Sequence, residues 1–264
     1  MSSFEVIRTV PRGGDNYNYL LVRHGYAWWV DPLHPLALLK RMAKENIRLA
    51  GILLTHTHWD HIDGVEQVLE QHPVPVYVHP HGTADLPAVR NLQAVDEGST
   101  LDLGGLSLRV HHTPGHHPAH VVYTGGGVAV VGDLIFRAGC DSPLFGGDMD
   151  QLYESITRLP KIIKADELLL WGHNYDALNL GFAASIMPGD AAVEGAIAEL
   201  QAEPDSPMPA LRSYSEECRV NPFLRLGDKA LLQGLRAQAP HLQDHPREIF
   251  FELRARRNVW NNQP

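Results

Sequence analysis

Four side chains that can bind a metal ion are crowded into one short stretch of the sequence. The run Thr55–Gly64 reads THTHWDHIDG and contains His56, His58, Asp60 and His61. Imidazole nitrogen suits zinc, iron or copper, and carboxylate oxygen can terminate or bridge metal ions. The stretch therefore predicts a metal site. The alternative is a polar helix start with Asp60 as its N-cap and the histidines in solvent.

The segments on either side of this run explain how it would be positioned. Gly51–Leu54 is an apolar run typical of a buried parallel strand, and Val65–Glu70 is typical of a helix. The metal-binding side chains would then lie in a loop at the carboxyl end of a strand, where ligands and catalytic groups collect in α/β sheets.

Three further apolar runs also end in histidine or aspartate. His116 follows a Pro-Gly turn, Asp133 follows Val130–Gly132, and His173 follows Leu169–Gly172. Four strand ends of this kind predict one face that gathers five histidines and two aspartates. Within the segment of His116, the sequence leaves open which histidine binds, because three others lie close by, namely His112, His117 and His120. Asp31, at another strand end, is a candidate partner for a ligand histidine or else an exposed turn residue.

The composition restricts the possible functions. The chain has 264 residues, 44% apolar and 20% charged, and a net charge of -9, which argues against a nucleic-acid-binding surface. Its two cysteines, Cys140 and Cys218, could pair, but the absence of a disulfide framework favours reduced thiols and a cytoplasmic protein. The N-terminal residues do not resemble a signal peptide, and no apolar run of about 18 residues predicts a membrane span.

The apolar patterns predict an α+β fold in which two sheets pack together with helices outside, followed by a helical last third. Strands are predicted at Phe4–Val10, Tyr19–Arg23, Ala27–Val30, Val74–His79, Thr100–Leu103, Leu106–His111, Val121–Thr124, Gly127–Val131 and Glu167–Trp171. Helices are predicted at Pro35–Asn46, Asp150–Arg158, Leu178–Ser185, Ala191–Ala202, Lys229–Ala239 and Arg247–Arg257. The proline-rich stretch Pro204–Pro209 is predicted to be a loop.

The order of these motifs resembles the metallo-β-lactamase fold superfamily and, more closely, its glyoxalase II family, the hydroxyacylglutathione hydrolases. Four further segments resemble motifs of that family, namely Gly132–Cys140, Gly172–Tyr175 with Asn179–Ala183, Asn221–Arg225 and Leu253–Asn258. The resemblance covers essentially the whole chain. It implies an αββα sandwich over residues 1–176 and a helical substrate-binding domain over residues 177–264.

The resemblance also implies a dinuclear metal site. One ion would be held by His56, His58 and His116, the other by Asp60, His61 and His173, with Asp133 as the bridge. Seven ligand groups are too many for one tetrahedral zinc, which takes four. The implied ions are two divalent metals, zinc first and iron or manganese as alternatives. They would activate a hydroxide that attacks the thioester of S-D-lactoylglutathione, giving D-lactate and glutathione, with Asp60 helping to orient the nucleophile.

Substrate binding is implied at four side chains. Tyr175, Arg254 and Arg257 match family residues that contact glutathione, and Phe145 would replace an aromatic residue of the family. A solvated helix face is the alternative for the two arginines. The segment Asp141–Gly147 departs from the family because it lacks a basic residue and Asp141 adds a negative charge.

Other activities of the fold remain as alternatives. An iron-dependent persulfide dioxygenase shares the first motif but normally lacks the helical tail. A nuclease or phosphodiesterase is disfavoured by the acidic composition, and β-lactam hydrolysis by Asp133, where those enzymes usually have cysteine. The predicted partner is a small thioester rather than a nucleic acid or a membrane, and a monomer is favoured.

Overall fold

Two mixed β-sheets form the centre of the molecule. The computed structural model describes residues 3–11, 14–202 and 208–260. The strands of this part are β1 Glu5–Thr9, β2 Asn18–Arg23, β3 Tyr26–Val30, β4 Arg48–Leu53, β5 Val76–Val78, β6 Leu92–Ala94, β7 Thr100–Asp102, β8 Ser107–His112, β9 Val121–Gly125, β10 Val128–Gly132, β11 Ile135–Phe136, β12 Gly139–Cys140 and β13 Leu168–Trp171.

The two sheets differ in strand direction. The first has the order β1-β2-β3-β4-β5-β6 and is antiparallel from β1 to β3 and parallel from β3 to β6. The second has the order β13-β10-β9-β8-β7 and is antiparallel except for the parallel pair of β10 and β13. Strands β11 and β12 form a separate hairpin. Parallel pairs leave several strand ends at one edge of each sheet, which is the arrangement that the site requires.

Helices cover the outer faces and form the last part of the chain. The helices of the described residues are α1 Leu36–Glu45, α2 Trp59–Ile62, α3 Val65–Gln71, α4 Met149–Ile162, α5 Asp176–Ile186, α6 Ala191–Ala202, α7 Tyr214–Val220, α8 Lys229–Arg236 and α9 Pro246–Val259. Short 3-10 helices occur at Pro80–Asp85 and Pro222–Leu224. None of the helices described is both long enough and apolar enough to cross a bilayer.

Alternation along the strands divides the apolar side chains between two cores. In β2, Tyr19 and Leu21 belong to the core between the sheets, whereas Leu20 and Val22 belong to the core under α1 and α3. Successive side chains of a strand point to opposite faces, so the first sheet is buried on both sides. The first sheet therefore lies between a helical layer and the second sheet, and the predicted α+β sandwich is confirmed.

The helical tail shares its core with the second sheet. Leu180, Val193, Leu231 and Leu253 are buried in the same cluster as the strands β8, β9, β10 and β13. Burial of apolar surface at about 25 cal/mol per Å² makes such a shared core a large part of the stability. The tail is thus packed onto the sandwich and can contribute side chains to a site at its edge.

The predicted elements agree with the structure to within a few residues, but some elements have no counterpart among the predictions. These are helices α2 and α7, the two 3-10 helices, strand β6 and the hairpin β11–β12. Helix α7 begins with a capping box in which Ser213 and Glu216 bond to each other's backbone, and this signal was available in the sequence. The two hairpin strands have two residues each, too few for a periodic pattern. Residues 204–207 of the predicted proline-rich loop lie outside the described residues.

Candidate metal centre

Three histidines from two loops bring their ring nitrogens together at one end of the sandwich. His56 and His58 follow β4, and His116 follows β8. His58 Nδ1 lies 3.0 Å from His56 Nε2 and 2.9 Å from His116 Nε2. Two ligands bound to one tetrahedral zinc at about 2.0–2.1 Å are roughly 3.4 Å apart. The three nitrogens are therefore close to the spacing of ligands around a single ion.

A second group lies beside the first. Asp60 Oδ2 is 3.8 Å from His61 Nε2 and 3.3 Å from His173 Nε2. Asp60 and His61 belong to α2, the single helical turn after β4, while His173 follows β13. These three atoms also have the spacing expected for ligands of one ion.

Asp133 lies between the two groups. Its Oδ2 atom is 3.3 Å from His61 Nε2 and 3.2 Å from His173 Nε2. The same atom is 4.0 Å from His56 Nε2 and 3.9 Å from His116 Nε2. A carboxylate with ligand atoms of both groups on either side has the position of a bridge between two metal ions.

Two glycines allow the strand ends to meet. Gly132 has a φ of 47°, and a Cβ there would lie 2.6 Å from Thr55 Oγ1. A Cβ on Gly172 would lie only 2.0 Å from Asp133 Oδ1. Because β10 and β13 are parallel neighbours, Asp133 and His173 leave the sheet side by side. The Gly-Asp and Gly-His pairs thus have a steric explanation.

The second ring nitrogen of each of the five histidines is held by a further group. The partners are Thr55 Oγ1 for His56 at 3.1 Å, the Phe145 carbonyl for His58 at 3.2 Å, Asp31 Oδ2 for His61 at 3.0 Å, the Ser142 carbonyl for His116 at 2.9 Å and Asp15 Oδ1 for His173 at 3.0 Å. Such contacts fix ring orientation and raise the basicity of a metal ligand. Asp31 therefore contacts a candidate ligand histidine and is not an exposed turn residue.

Buried polar atoms test whether the residues fit a metal. Within the described part of the chain, His61 Nε2 and Asp133 Oδ1 are buried without a hydrogen-bond partner. Unpaired buried polar atoms are uncommon and costly. Divalent ions would satisfy such atoms, and the nitrogen and oxygen donors are of the types that divalent transition metals bind. The residues fit a pair of ions.

The charges of the two groups differ before any metal is bound. Burial lowers the pKa of His56 and of His58, so both rings are neutral at pH 7 and can act as ligands. Burial also opposes protonation of His61, but the carboxylates of Asp133 and Asp31 outweigh it and raise the pKa of that ring to about 10. Metal binding at His61 must therefore release a proton, and metal affinity should fall as the pH falls.

A cavity of about 200 Å³ opens between the hairpin β11–β12, α5 and α9. Its lining includes Tyr175, Asp141, Arg254 and Arg257. The ring of Tyr175 stacks on His173 with centroids 4.9 Å apart, and Asp141 Oδ2 lies 3.5 Å from His116 Nδ1. Two residues of the cavity lining therefore contact a histidine of each candidate ligand group.

The predicted substrate-binding residues have different environments. Arg254 is only 4% exposed and donates to the Cys140 carbonyl and to Asn258. Arg257 donates from Nε to Asn179 Oδ1 at 2.9 Å, which directs its guanidinium along the cavity wall. Phe145 does not line the cavity: its side chain is 75% exposed next to Leu144, which does, and its carbonyl lies 3.2 Å from His58 Nε2. These assignments remain predictions.

Sequence reasoning missed three groups that support the centre. They are Asp15, which contacts His173, Asn16, whose Nδ2 donates to Asp60 Oδ2 at 3.0 Å, and Thr55, which donates to Asp31 Oδ2 at 2.6 Å. Asp15 and Asn16 come from the loop before β2, more than 40 positions from the residues they contact. No local pattern in the sequence marks such distant pairs.

The extra histidines also have definite positions. His120 is buried behind the centre, with Nδ1 2.9 Å from Thr113 Oγ1. The ring of His117 lies 4.7 Å from that of His58, and its Nδ1 accepts the Ala119 N–H. His112 stacks on His79, away from the seven candidate ligands. Of His112, His116, His117 and His120, His116 is the one whose ring nitrogen joins the first group.

Comparison with known proteins agrees with this architecture. Residues 12–173 match the model of the metallo-beta-lactamase superfamily, so the chain belongs to that superfamily. ETHE1 from Myxococcus xanthus has a similar fold, with a TM-score of 0.64 at 22% identity, covering 97% of this chain and 100% of that one.

The remaining residues define the family within it. Residues 174–260 match the model described as the hydroxyacylglutathione hydrolase C-terminus. The hydroxyacylglutathione hydrolase of Aeromonas hydrophila is 32% identical over 96% of this chain and 98% of its own length. That of Anaeromyxobacter dehalogenans is 37% identical over 93% and 96%. The chain is a member of the hydroxyacylglutathione hydrolase family.

Proposed function

We propose that this protein hydrolyses S-(2-hydroxyacyl)glutathione, with S-D-lactoylglutathione as its main substrate and D-lactate and glutathione as products. The observation that carries this proposal is the set of seven candidate ligands, centred on Asp133, beside a cavity lined by arginine. The names of its relatives point to the same reaction. Its biological role would be the detoxification of methylglyoxal.

The ligand set fits two divalent ions per chain. We assign zinc, with iron or manganese as the alternatives, because mixed imidazole and carboxylate ligands accept all three. Bound ions of this kind supply the Lewis acidity that activates water and polarises a thioester carbonyl. His56, His58 and His116 would hold one ion, Asp60, His61 and His173 the other, and Asp133 would be shared.

Asp60 and Asp133 are the assigned catalytic residues. Burial opposes ionisation of Asp60, but its contacts with His173 and His61 outweigh burial and hold its pKa below the usual range. Asn16 fixes the carboxylate by donating to Oδ2. An ionised, fixed carboxylate at this position can accept a hydrogen bond from the attacking water and orient it. Asp133 keeps the two halves of the centre together.

The cavity provides a place for the thiol part of the substrate. Arg257 would bind a carboxylate of glutathione through its guanidinium, and Tyr175 would contact the tripeptide. Burial raises the pKa of Tyr175, so its hydroxyl stays protonated and can donate. Phe145 would cover the mouth of the site. Arg254 would contribute positive charge from beneath, while Asp141 reduces the net attraction for an anionic thiol.

The division of labour follows the architecture. Residues 1–176 supply every candidate metal ligand, and residues 177–264 supply both arginines of the cavity. We assign these ranges as the catalytic and the substrate-binding domains of a monomer. Cys140 and Cys218 are both unpaired, which fits a reducing cytoplasmic compartment where glutathione is abundant.

Persulfide dioxygenation is the second candidate function. Enzymes with that activity share the first histidine motif of this chain but normally lack its helical tail. That activity needs one iron held by two histidines and an aspartate, whereas two complete groups of ligands are present here. The matched C-terminal model also favours the hydrolase.

The proposal is tested by assaying thioester hydrolysis on wild-type protein, His58→Ala and the control His241→Ala, an exposed histidine of the tail. We expect wild type and control to hydrolyse S-D-lactoylglutathione at equal rates, and His58→Ala to lose at least about 100-fold in kcat, because a ligand matters more than its supporting groups. Oxygen uptake on glutathione persulfide without thioester hydrolysis would favour the dioxygenase.

A further inference from the structure

Three histidines outside the proposed dinuclear centre form a second cluster near the surface. His79 follows β5, His81 lies in the 3-10 helix Pro80–Asp85, and His112 ends β8. One ring nitrogen from each lies within 4.8 Å of the others. None of the three has a role in the proposed hydrolysis. We call this cluster the histidine trio.

A backbone carbonyl fixes the protonation of two members. His81 Nδ1 is 3.3 Å and His112 Nε2 is 2.9 Å from the carbonyl oxygen of Pro118. A carbonyl oxygen only accepts hydrogen bonds, so the nitrogen facing it must carry the proton in each ring. The opposite nitrogens, His81 Nε2 and His112 Nδ1, therefore keep their lone pairs, which is the form that a metal ion binds.

The third member faces a carboxylate. His79 Nδ1 accepts the backbone N–H of His81 at 3.3 Å, which leaves the ring proton on Nε2. His79 Nε2 lies 3.2 Å from Asp96 Oδ1. Two ligands of a tetrahedral zinc are about 3.4 Å apart. Asp96 contacts the trio through His79, so a metal ion that replaced the shared proton would gain Asp96 as a fourth ligand once its carboxylate turned toward the ion.

The cluster can close around an ion. His79 is buried and its ring stacks on that of His112, with centroids 4.0 Å apart and planes 13° apart. The lone pairs of two parallel rings do not converge on one point, so the half-buried His112 must turn out of this stack for both rings to bind one ion. His81 is exposed, and the side chain of Asp96 is 64% exposed. His81 and Asp96 can rotate toward the buried His79 together with His112, so closing the cluster costs side-chain entropy and the stacking contact.

We propose that the histidine trio and Asp96 form a third metal site, which takes one zinc-class divalent ion. Three imidazoles and one carboxylate are typical zinc ligands, and copper and nickel also favour imidazole. The site would link the turn after β5, the end of β8 and the Pro118 loop, which also carries His116. Exposure of two ligands predicts a weaker site than the buried dinuclear centre.

Titration of the zinc-loaded protein with zinc chloride tests this proposal. The protein is first reconstituted to two zinc ions per chain, and further binding is measured by calorimetry on wild type, His81→Ala, Asp96→Asn and the control His241→Ala. We expect one more equivalent in wild type and control, with a Kd in the micromolar range. We expect the third equivalent to be lost in His81→Ala and at least about tenfold weaker in Asp96→Asn.

Two results would overturn the proposal: no third equivalent in wild type, or a third equivalent that His81→Ala binds as tightly as wild type does. Because His81 is exposed, its replacement should leave the fold intact, and circular dichroism checks this. The first two equivalents and thioester hydrolysis are measured on the same samples. A failure of the dinuclear hydrolase would therefore be distinguishable from a failure of the third site.

Discussion

Asp133 shows most clearly what single residues contribute to the centre. Its Oδ2 atom faces four histidines, and within the described residues its Oδ1 atom is buried without a partner. Burial opposes ionisation of Asp133, but His173 and His61 outweigh it and hold the pKa well below the usual range. An ionised carboxylate so placed is the natural bridge between two cations.

The two arginines of the cavity predict different consequences of replacement. Arg257→Ala should raise KM for S-D-lactoylglutathione about tenfold and leave kcat nearly unchanged, because it removes binding that the ground state and transition state share. Steady-state kinetics measure this, with the exposed Arg90→Ala as the control. An unchanged KM in Arg257→Ala would contradict the assignment of the cavity.

Arg254→Ala should raise KM and, unlike Arg257→Ala, lower thermal stability, since Arg254 is buried against the Cys140 carbonyl.

At the scale of elements, strand ends determine the site. Candidate ligands follow β4, β8, β10 and β13, and the parallel pairing of β10 with β13 places two of these ends next to each other. The sequence predicted these ends because each apolar run stops at histidine or aspartate. It could not predict the loop before β2, which brings Asp15 and Asn16 to the centre, because that contact depends on tertiary packing.

Gly172→Ala tests whether the close approach of the strand ends is required. The added Cβ would lie 2.0 Å from Asp133 Oδ1 and 2.9 Å from His61 Cε1, so Asp133 must move. We expect a loss of metal content and at least about tenfold lower kcat, since the change displaces a ligand rather than a supporting group. Elemental analysis and kinetics measure this.

Gly195→Ala is the matched control, because an added Cβ there would have no atom within 4 Å and alanine favours the helix interior. It should keep full metal content and be slightly more stable than wild type. Equal metal content in Gly172→Ala and Gly195→Ala would contradict the prediction, because it would mean that a Cβ at position 172 does not displace Asp133.

At the scale of the whole molecule, the sandwich and the helical tail are joined by a buried polar contact. Glu217 in α7 accepts the Ala138 N–H and an Nδ2 hydrogen of Asn221, and Asn221 also donates to the carbonyls of Phe136 and Gly139. The resemblance of Asn221–Arg225 to a family motif was visible in the sequence. Its partner, the hairpin β11–β12, was not, because two-residue strands have no periodic signal.

Glu217 makes stability depend on pH. Burial raises the pKa of Glu217 to about 7 from its usual 4.5. Between pH 4.5 and pH 7, Glu217 is protonated in the folded protein but ionised in the unfolded chain. The stabilisation from this proton is complete below pH 4.5 and is lost as the pH rises to 7. The loss amounts to about 1.4 kcal/mol per pH unit.

Glu217→Gln keeps the shape of the side chain and removes this dependence. The free energy of unfolding of the variant minus that of wild type should increase by roughly 2–3 kcal/mol as the pH rises from 5 to 8. Two of these pH units, from 5 to 7, lie below the pKa of Glu217 in the folded protein. Urea unfolding of both proteins at each pH measures the difference, in which other titrating groups cancel. A constant difference would mean that Glu217 is ionised in the folded protein throughout.

The metal content of the purified protein, measured by elemental analysis on the same sample as S-D-lactoylglutathione hydrolysis, tests the dinuclear hydrolase most directly. We expect two tightly bound divalent ions per chain. Thioester hydrolysis should be lost when these ions are removed and restored when they are added back. A third, weaker ion is removed beforehand by dialysis. One iron per chain with oxygen uptake on glutathione persulfide, and no thioester hydrolysis, would contradict the account.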